Sequence, residues 1–165
     1  MNEVELRYRV PESALDQLCA LRSLGLFEMR QTGTIQMEDM YLDTRDARLK
    51  QSGYSLRLRS IGKEWFLTLK GTPTETGALI SRSEVEIPLT KPWCNPKRWP
   101  SGEPRDTVLA CMQGDSLVVV TRIRQRRMRA ILSRGSEQIA EYSLDRVDFS
   151  YPEHRRLWFL ECELL

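Results

Sequence analysis

The sequence predicts an α+β protein: an antiparallel β-barrel of eight strands flanked by short helices. Three observations carry this expectation. Eight segments alternate charged or polar residues with apolar ones at every second position, the period of a strand. Only two segments show helical spacing. No repeat, low-complexity tract or linker divides the 165 residues, which suffice for one core and are too few for two comfortable domains. Residues 1–165 therefore read as a single domain.

The elements follow in order. "EVELRYRV" (3–10) places Glu3, Glu5, Arg7 and Arg9 on one face and Val4, Leu6, Tyr8 and Val10 on the other. "VPESALDQLCALRSLGL" (10–26) has leucines at 15, 18, 21 and 24, with Ser13 as a cap and Gly25 as a stop, which predicts a short amphipathic helix. From Glu38 the pattern is a short strand, a polar connection, and Gly53 before the alternating "YSLRLRS" (54–60). "EWFLTLKG" (64–71) and "ISRSEVEIPLT" (80–90) read as strands separated by a Thr, Pro and Gly loop. "KPWCNPKRWPSGEPR" (91–105) holds four prolines and is irregular; "RDTVLACMQG" (105–114) then predicts a two-turn helix. Three long strands close the chain: "SLVVVTRIRQRRMRAIL", "EQIAEYSLDRVDF" and "RLWFLECELL".

Charge gathers on one side of these strands. Arg57 and Arg59 lie opposite Leu56 and Leu58, and Lys70 ends "FLTLK" away from Leu67 and Leu69. Arg82, Glu84 and Glu86 oppose Val85 and Ile87, and Glu161 and Glu163 flank Cys162. Asp145 sits centrally in its strand. For any one strand a solvated face is the simpler reading. Together the positions are almost wholly Glu and Arg, where a wet face mixes Ser, Thr, Gln and Lys. Carboxylates two apart on a strand stand about 7 Å apart, close enough to share a divalent ion. If the charged face turns inward, Glu3, Glu5, Glu161 and Glu163 supply hard oxygen donors for Mg²⁺ or Mn²⁺. Arg57, Arg59, Lys70 and Arg82 then supply a cluster of cations for a polyanion with several phosphates. Neither set tolerates burial alone, and a metal–polyphosphate complex satisfies both.

Composition excludes some classes. Net charge is +2, with no bulk argument for nucleic acid or an anionic membrane. The longest aliphatic run, Leu117 to Val120, is too short to span a bilayer. Acidic residues at 3 and 5 argue against a signal peptide. Cys19, Cys94, Cys111 and Cys162 form no C-x-x-C pair and fit reduced thiols of the cytoplasm. His154 reads as a loop residue, and Trp93 and Trp99 as anchors of the irregular segment. Tyr41 and Asp43 organise a turn or serve the site. A nucleic-acid role for "RIRQRRMR" ranks last, because neighbouring carboxylates would repel a phosphate backbone.

Seven motifs in order now resemble the CYTH domains, or triphosphate tunnel metalloenzymes: E-x-E-x-R (Glu3, Glu5, Arg7), "YLDT" (41–44), "LRLR" (56–59), "LTLK" (67–70), "RSEVE" (82–86), "SLDRV" (143–147) and "ECEL" (161–164). The resemblance implies an eight-stranded triphosphate tunnel and metal-dependent hydrolysis of a triphosphate compound, inorganic triphosphate first. It also admits adenylate cyclisation, thiamine triphosphate hydrolysis, or polyphosphate binding without turnover. It implies metal ligation by Glu3, Glu5, Glu161 and Glu163. Phosphate binding falls to Arg7, Arg57, Arg59, Lys70, Arg82 and Arg127. Glu84, Glu86 and Asp145 complete the acidic lining and position water or metal, the catalytic set. In "TRIRQRRMRAIL", Gln125 and Arg127 fit the family's pair by position and Arg124 and Arg126 by charge; Arg127 is favoured. The family commonly has Lys where Arg7 stands, and an arginine cannot serve as a general base. The proline-rich segment resembles CYTH domains that precede a CHAD domain. The expected partners are thus a triphosphate or polyphosphate and a CHAD domain or second subunit, with neither nucleic acid nor membrane.

Overall fold

The computed structural model describes residues 2–165, with side chains from Glu3 onward. Among these residues ten strands occur: β1 (Asn2–Arg9), β2 (Ser23–Leu24), β3 (Phe27–Asp43), β4 (Ser55–Ile61), β5 (Glu64–Lys70), β6 (Thr74–Thr76), β7 (Leu79–Leu89), β8 (Val118–Arg134), β9 (Glu137–Tyr151) and β10 (Arg155–Leu164). Eight of them run β1-β10-β9-β8-β3-β4-β5-β7, and β7 pairs back with β1, so the antiparallel sheet closes on itself. The short β2 and β6 attach outside this ring, on β3 and β7. The expected eight strands are those of the ring.

Three helices lie against it: α1 (Leu15–Ala20), α2 (Arg48–Gln51) and α3 (Glu103–Met112). The leucine spacing after β1 overstated the first. The chain makes a 3₁₀ turn at Glu12–Ala14, then α1, and leaves the helix before Leu24, which pairs with Phe27 in β2–β3. Ser13 caps nothing, since Pro11 precedes the turn, and Gly25 (φ +59°) turns a hairpin rather than ending a helix. The strand near Asp39 is longer than expected. β3 begins at Phe27, and its register on β8 shifts between Gln31 and Gly33, a bulge that lets so long a strand bend with the ring.

Apolar residues of the strands face outward and pack beneath the helices. Leu56, Leu58, Leu67 and Leu69 of β4 and β5 join Leu49 of α2, Val108 and Met112 of α3, and Trp99. A second cluster gathers Ala130 and Leu132 of β8 with Tyr142 and Leu144 of β9, against Leu15 and Leu18 of α1. Trp99 donates its indole N–H to the Trp93 carbonyl at 2.6 Å, and Arg98 stacks on the Trp93 ring, so both tryptophans tie down the proline-rich segment. Outside β1, Leu6 and Tyr8 stay 38% and 49% exposed. His154 is exposed between β9 and β10. Among the described residues no helix is long and apolar enough to cross a membrane.

Leu67→Ala is expected to lower the unfolding free energy by about 2–5 kcal/mol, because its side chain is fully buried beneath α3. Leu6→Ala on the exposed face should cost under about 1 kcal/mol. Urea unfolding of both variants checks the contrast.

Candidate active site

With the apolar faces turned out, the alternate residues turn in. They line a cavity of about 1080 Å³ inside the ring. Its wall carries seven cations, Arg7, Lys50, Arg57, Arg59, Lys70, Arg82 and Arg127, and seven carboxylates, Glu3, Glu5, Asp43, Glu84, Glu86, Glu161 and Glu163. The wall is therefore balanced in formal charge, and most of its charged groups pair with one another.

Glu3 sits opposite Arg82 in the β1–β7 register and accepts from Arg82 Nε at 2.8 Å and from Lys70 Nζ at 2.9 Å. Arg82 Nη2 also donates to Glu5 at 3.0 Å, and Lys70 lies 2.7 Å from Glu84. Burial works against the charge on Glu3, yet the Arg82 hydrogen bond and the Lys70 charge hold its carboxyl down to about 2. Arg57 donates to Thr68 Oγ1 at 3.1 Å, and Thr68 donates to Glu86 at 2.8 Å. Across the cavity Arg7 Nε stands 3.1 Å from Glu161, and its guanidinium lies 4.4 Å over the Phe159 ring.

Two aspartates stand behind this wall. Asp145 grips Arg127 through both oxygens at 2.8 and 2.6 Å, and Arg127 reaches on to Glu161. Burial opposes the Arg127 charge, but the Asp145 hydrogen bonds and the Asp145 and Glu161 charges raise its pKa above the ordinary arginine value. Asp145 itself is almost wholly buried and does not line the cavity. Asp39 does the same for Arg59, at 2.8 Å to each oxygen. The sequence reading did not single out Asp39, because Glu38 and Asp39 are adjacent and alternation cannot tell which faces in.

In β8, Gln125 and Arg127 line the cavity. Arg124 points outward, 76% exposed, and pairs with Glu38. Arg129 joins the inner side through Glu141 at 3.1 Å, an ion pair the sequence reading also missed. Tyr41 and Asp43 both line the cavity. Asp43 also accepts from the backbone N–H groups of Thr44, Leu49 and Lys50, and so shapes the turn into α2.

The four glutamates expected to ligate metal do not form one cluster. Among the described residues no three His, Cys, Asp or Glu groups make a metal cage. Glu3 and Glu161 are occupied by arginine and lysine. Glu5 and Glu163 face each other in register. Burial, then Glu161 and Glu3, push Glu5 up; burial, then Glu3 and Glu84, push Glu163 up. A pair of carboxylates that resists ionisation is a place where a divalent cation would be favoured, and the all-oxygen donor set suits Mg²⁺ or Mn²⁺. The donors fit such an ion.

The CYTH domain pattern matches residues 1–164. The chain belongs to the CYTH domain family. Among solved structures it resembles a candidate adenylyl cyclase from Hippeastrum described as having a dominant triphosphatase activity. That likeness has a TM-score of 0.69 and 19% identity, over 98% of this chain and 79% of that one. It also resembles a candidate adenylate cyclase from Bacillus halodurans, with a TM-score of 0.61 and 22% identity over 98% and 79% of the two chains. The PH1819 protein of Pyrococcus horikoshii follows, at 0.57 and 19% over 99% and 77%. No curated protein sequence matches the chain. These CYTH-like structures share the fold.

Glu3 gives this CYTH domain a pH signature. A carboxyl held near 2 in the folded state and near 4.5 when unfolded stabilises the fold fully above pH 4.5, and that contribution is lost as pH falls toward 2. The stability gap between the wild type and Glu3→Gln should be widest near pH 7 and shrink below pH 4.5. Urea unfolding across pH 2 to 7 reads it directly.

Proposed function

We propose that this CYTH domain hydrolyses a triphosphate compound, inorganic triphosphate first, with a divalent metal. The observation that carries the proposal is the charge-balanced, largely self-paired wall. A triphosphate entering the cavity takes over the arginines and lysine, and the carboxylates they release then need another countercharge. A divalent ion supplies it, so the arrangement suits a metal–triphosphate complex better than a bare anion. The family membership and the triphosphatase activity described for the Hippeastrum structure support the same reading.

Glu5 and Glu163 would hold Mg²⁺ or Mn²⁺, joined by Glu3 and Glu161 once phosphate has drawn away the cations that pair with them, and the ion when bound supplies neutralisation of phosphate oxygens and an activated water. The chain's own residues do the rest. Arg57, Arg59, Lys70, Arg82 and Arg127 bind phosphate oxygens and stabilise charge on the departing group. Arg57 is suited to this: its Nε lies buried without a hydrogen-bond partner, a donor that an anion would satisfy. Glu84 and Glu86 orient water and accept its proton. Asp145 serves from behind by holding Arg127. Arg7 binds phosphate and keeps its proton.

A second reading keeps the site and enlarges the substrate. Val120, Ile123, Val147 and Phe149 give one side of the cavity an apolar lining, which favours an organic triphosphate, through adenylate cyclisation or thiamine triphosphate hydrolysis. Arg7 in place of lysine favours a third, polyphosphate binding without turnover. The finer partner reading is a CHAD domain or a second subunit. It rests on the proline-rich segment and on the exposed Leu6 and Tyr8. The cysteine pattern supports a cytoplasmic site of action.

Phosphate release from inorganic triphosphate, with Mg²⁺ or Mn²⁺ and with EDTA, tests the proposal. Release should need metal and vanish in Glu3→Gln/Glu5→Gln, and Arg57→Gln should lower kcat by about 100-fold or more. Binding without release would establish the polyphosphate-binding reading. Absence of both would overturn the function altogether.

A further inference from the structure

Asp39 lies in the middle of β3, opposite Arg59 of β4 on one side and Ile123 of β8 on the other. Its side chain has 0% exposure, whereas that of Arg59 keeps 12% and lines the cavity. Arg59 donates from Nε to Oδ1 and from Nη2 to Oδ2, both at 2.8 Å. Arg57 Nη1 stands 3.8 Å from the same Oδ2. One carboxylate thus lies beneath two of the cavity's arginines without reaching the cavity itself.

A carboxylate wholly withdrawn from water is unfavourable unless cations compensate it. Here two do. Burial opposes the charge on Arg59, and the Asp39 hydrogen bonds and charge override it, raising the arginine's pKa. The bidentate grip also consumes one edge of the guanidinium, Nε and Nη2, and leaves Nη1 unclaimed by Asp39. An arginine fixed in advance loses little freedom when an anion arrives, which raises affinity without any new contact to the ligand.

We propose that Asp39 is a positioning residue for triphosphate recognition, holding Arg59 in the orientation that offers its free N–H groups to phosphate oxygens. The inference rests on the triphosphate reading of the cavity. Asparagine at 39 keeps the shape but replaces one acceptor oxygen with an NH₂ group that opposes the guanidinium N–H, so the bidentate grip is lost.

Calorimetric titration with inorganic triphosphate and Mg²⁺ tests it in four proteins: wild type, Asp39→Asn, Arg59→Gln and the double variant. Each single change should weaken binding about tenfold or more. In the Arg59→Gln background, adding Asp39→Asn should change affinity by less than about twofold, because Asp39 acts through an arginine already gone. A purely structural role would not produce that collapse. Wild-type affinity in Asp39→Asn would overturn the inference. So would a double-variant loss equal to the product of the two single losses. If Asp39→Asn alone fails to fold, the double variant removes both partners of the buried pair and is the milder change. Asp39→Glu, which keeps the charge but displaces the carboxylate by one methylene, then takes the place of Asp39→Asn in the same four-protein comparison. A wild type that binds no triphosphate overturns the proposed function itself, an outcome distinct from a binding wild type with an unaffected Asp39→Asn.

Discussion

The seam between β1 and β7 is the contact on which the rest of the structure depends, because it closes the ring and is built from the residues of the cavity. Glu3 meets Arg82 across it in register, Arg82 also reaches Glu5, and Lys70 of β5 reaches over to Glu3. An open sheet would leave the β1 and β7 edges unpaired. It would also leave Arg82 without the two carboxylates that neutralise it and take Glu3 away from Lys70. The fold and the candidate site are therefore not separable layers here. The same ion pairs shut the ring and set the charge of its interior.

Such an interior is stable without ligand because it binds itself. Each wall carboxylate that lost its partner to a phosphate would stand charged in a place where burial already raises the pKa of Glu5 and Glu163. Anion binding and cation binding are thus coupled by the wall: the first frees the donors that the second requires. Position also divides the carboxylates by role. Those on the wall open onto the cavity, whereas Asp39 and Asp145 lie buried beneath the arginines they hold.

Much of this was legible because a strand's period of two sorts residues by face without knowledge of their neighbours. Glu3, Glu5, Arg57, Arg59, Arg82, Glu161 and Glu163 all declared themselves by alternation with Leu, Val and Cys. The signal failed where consecutive residues were both charged. In "MEDM" either Glu38 or Asp39 can face in, and in "RIRQRRMR" Arg124 and Arg126 compete with Arg127 for the inner side. Only pairing settles these: Asp39 lies opposite Arg59, and Arg127 opposite Asp145. The first half of β3 was hidden by its bulge, since the register shift at Gly33 breaks the alternation. Leucines every three residues from 15 to 24 imitated a longer helix. The chain instead leaves the helix after Ala20 and spends Leu24 on β2, where pairing with β3 satisfies its backbone.

Arg7 shows how one side chain narrows the chemistry left to the others. Its guanidinium is fixed between the Glu161 carboxylate and the Phe159 ring, with part of its surface open to the cavity. A lysine in this position could give up its proton where burial and neighbouring cations disfavour the charge; an arginine does not. In the proposed reaction the proton of an attacking water must then go to a carboxylate. Asp145 is bound to Arg127 and does not line the cavity, so it does not reach that water. Glu84 and Glu86, two apart on β7, do line the cavity, where Glu84 stands 2.7 Å from Lys70 and Glu86 accepts from Thr68 through Oε2. With arginine in place of lysine, the base in the proposed reaction thus falls to a carboxylate of β7 rather than to β1, once the substrate has drawn Lys70 from Glu84.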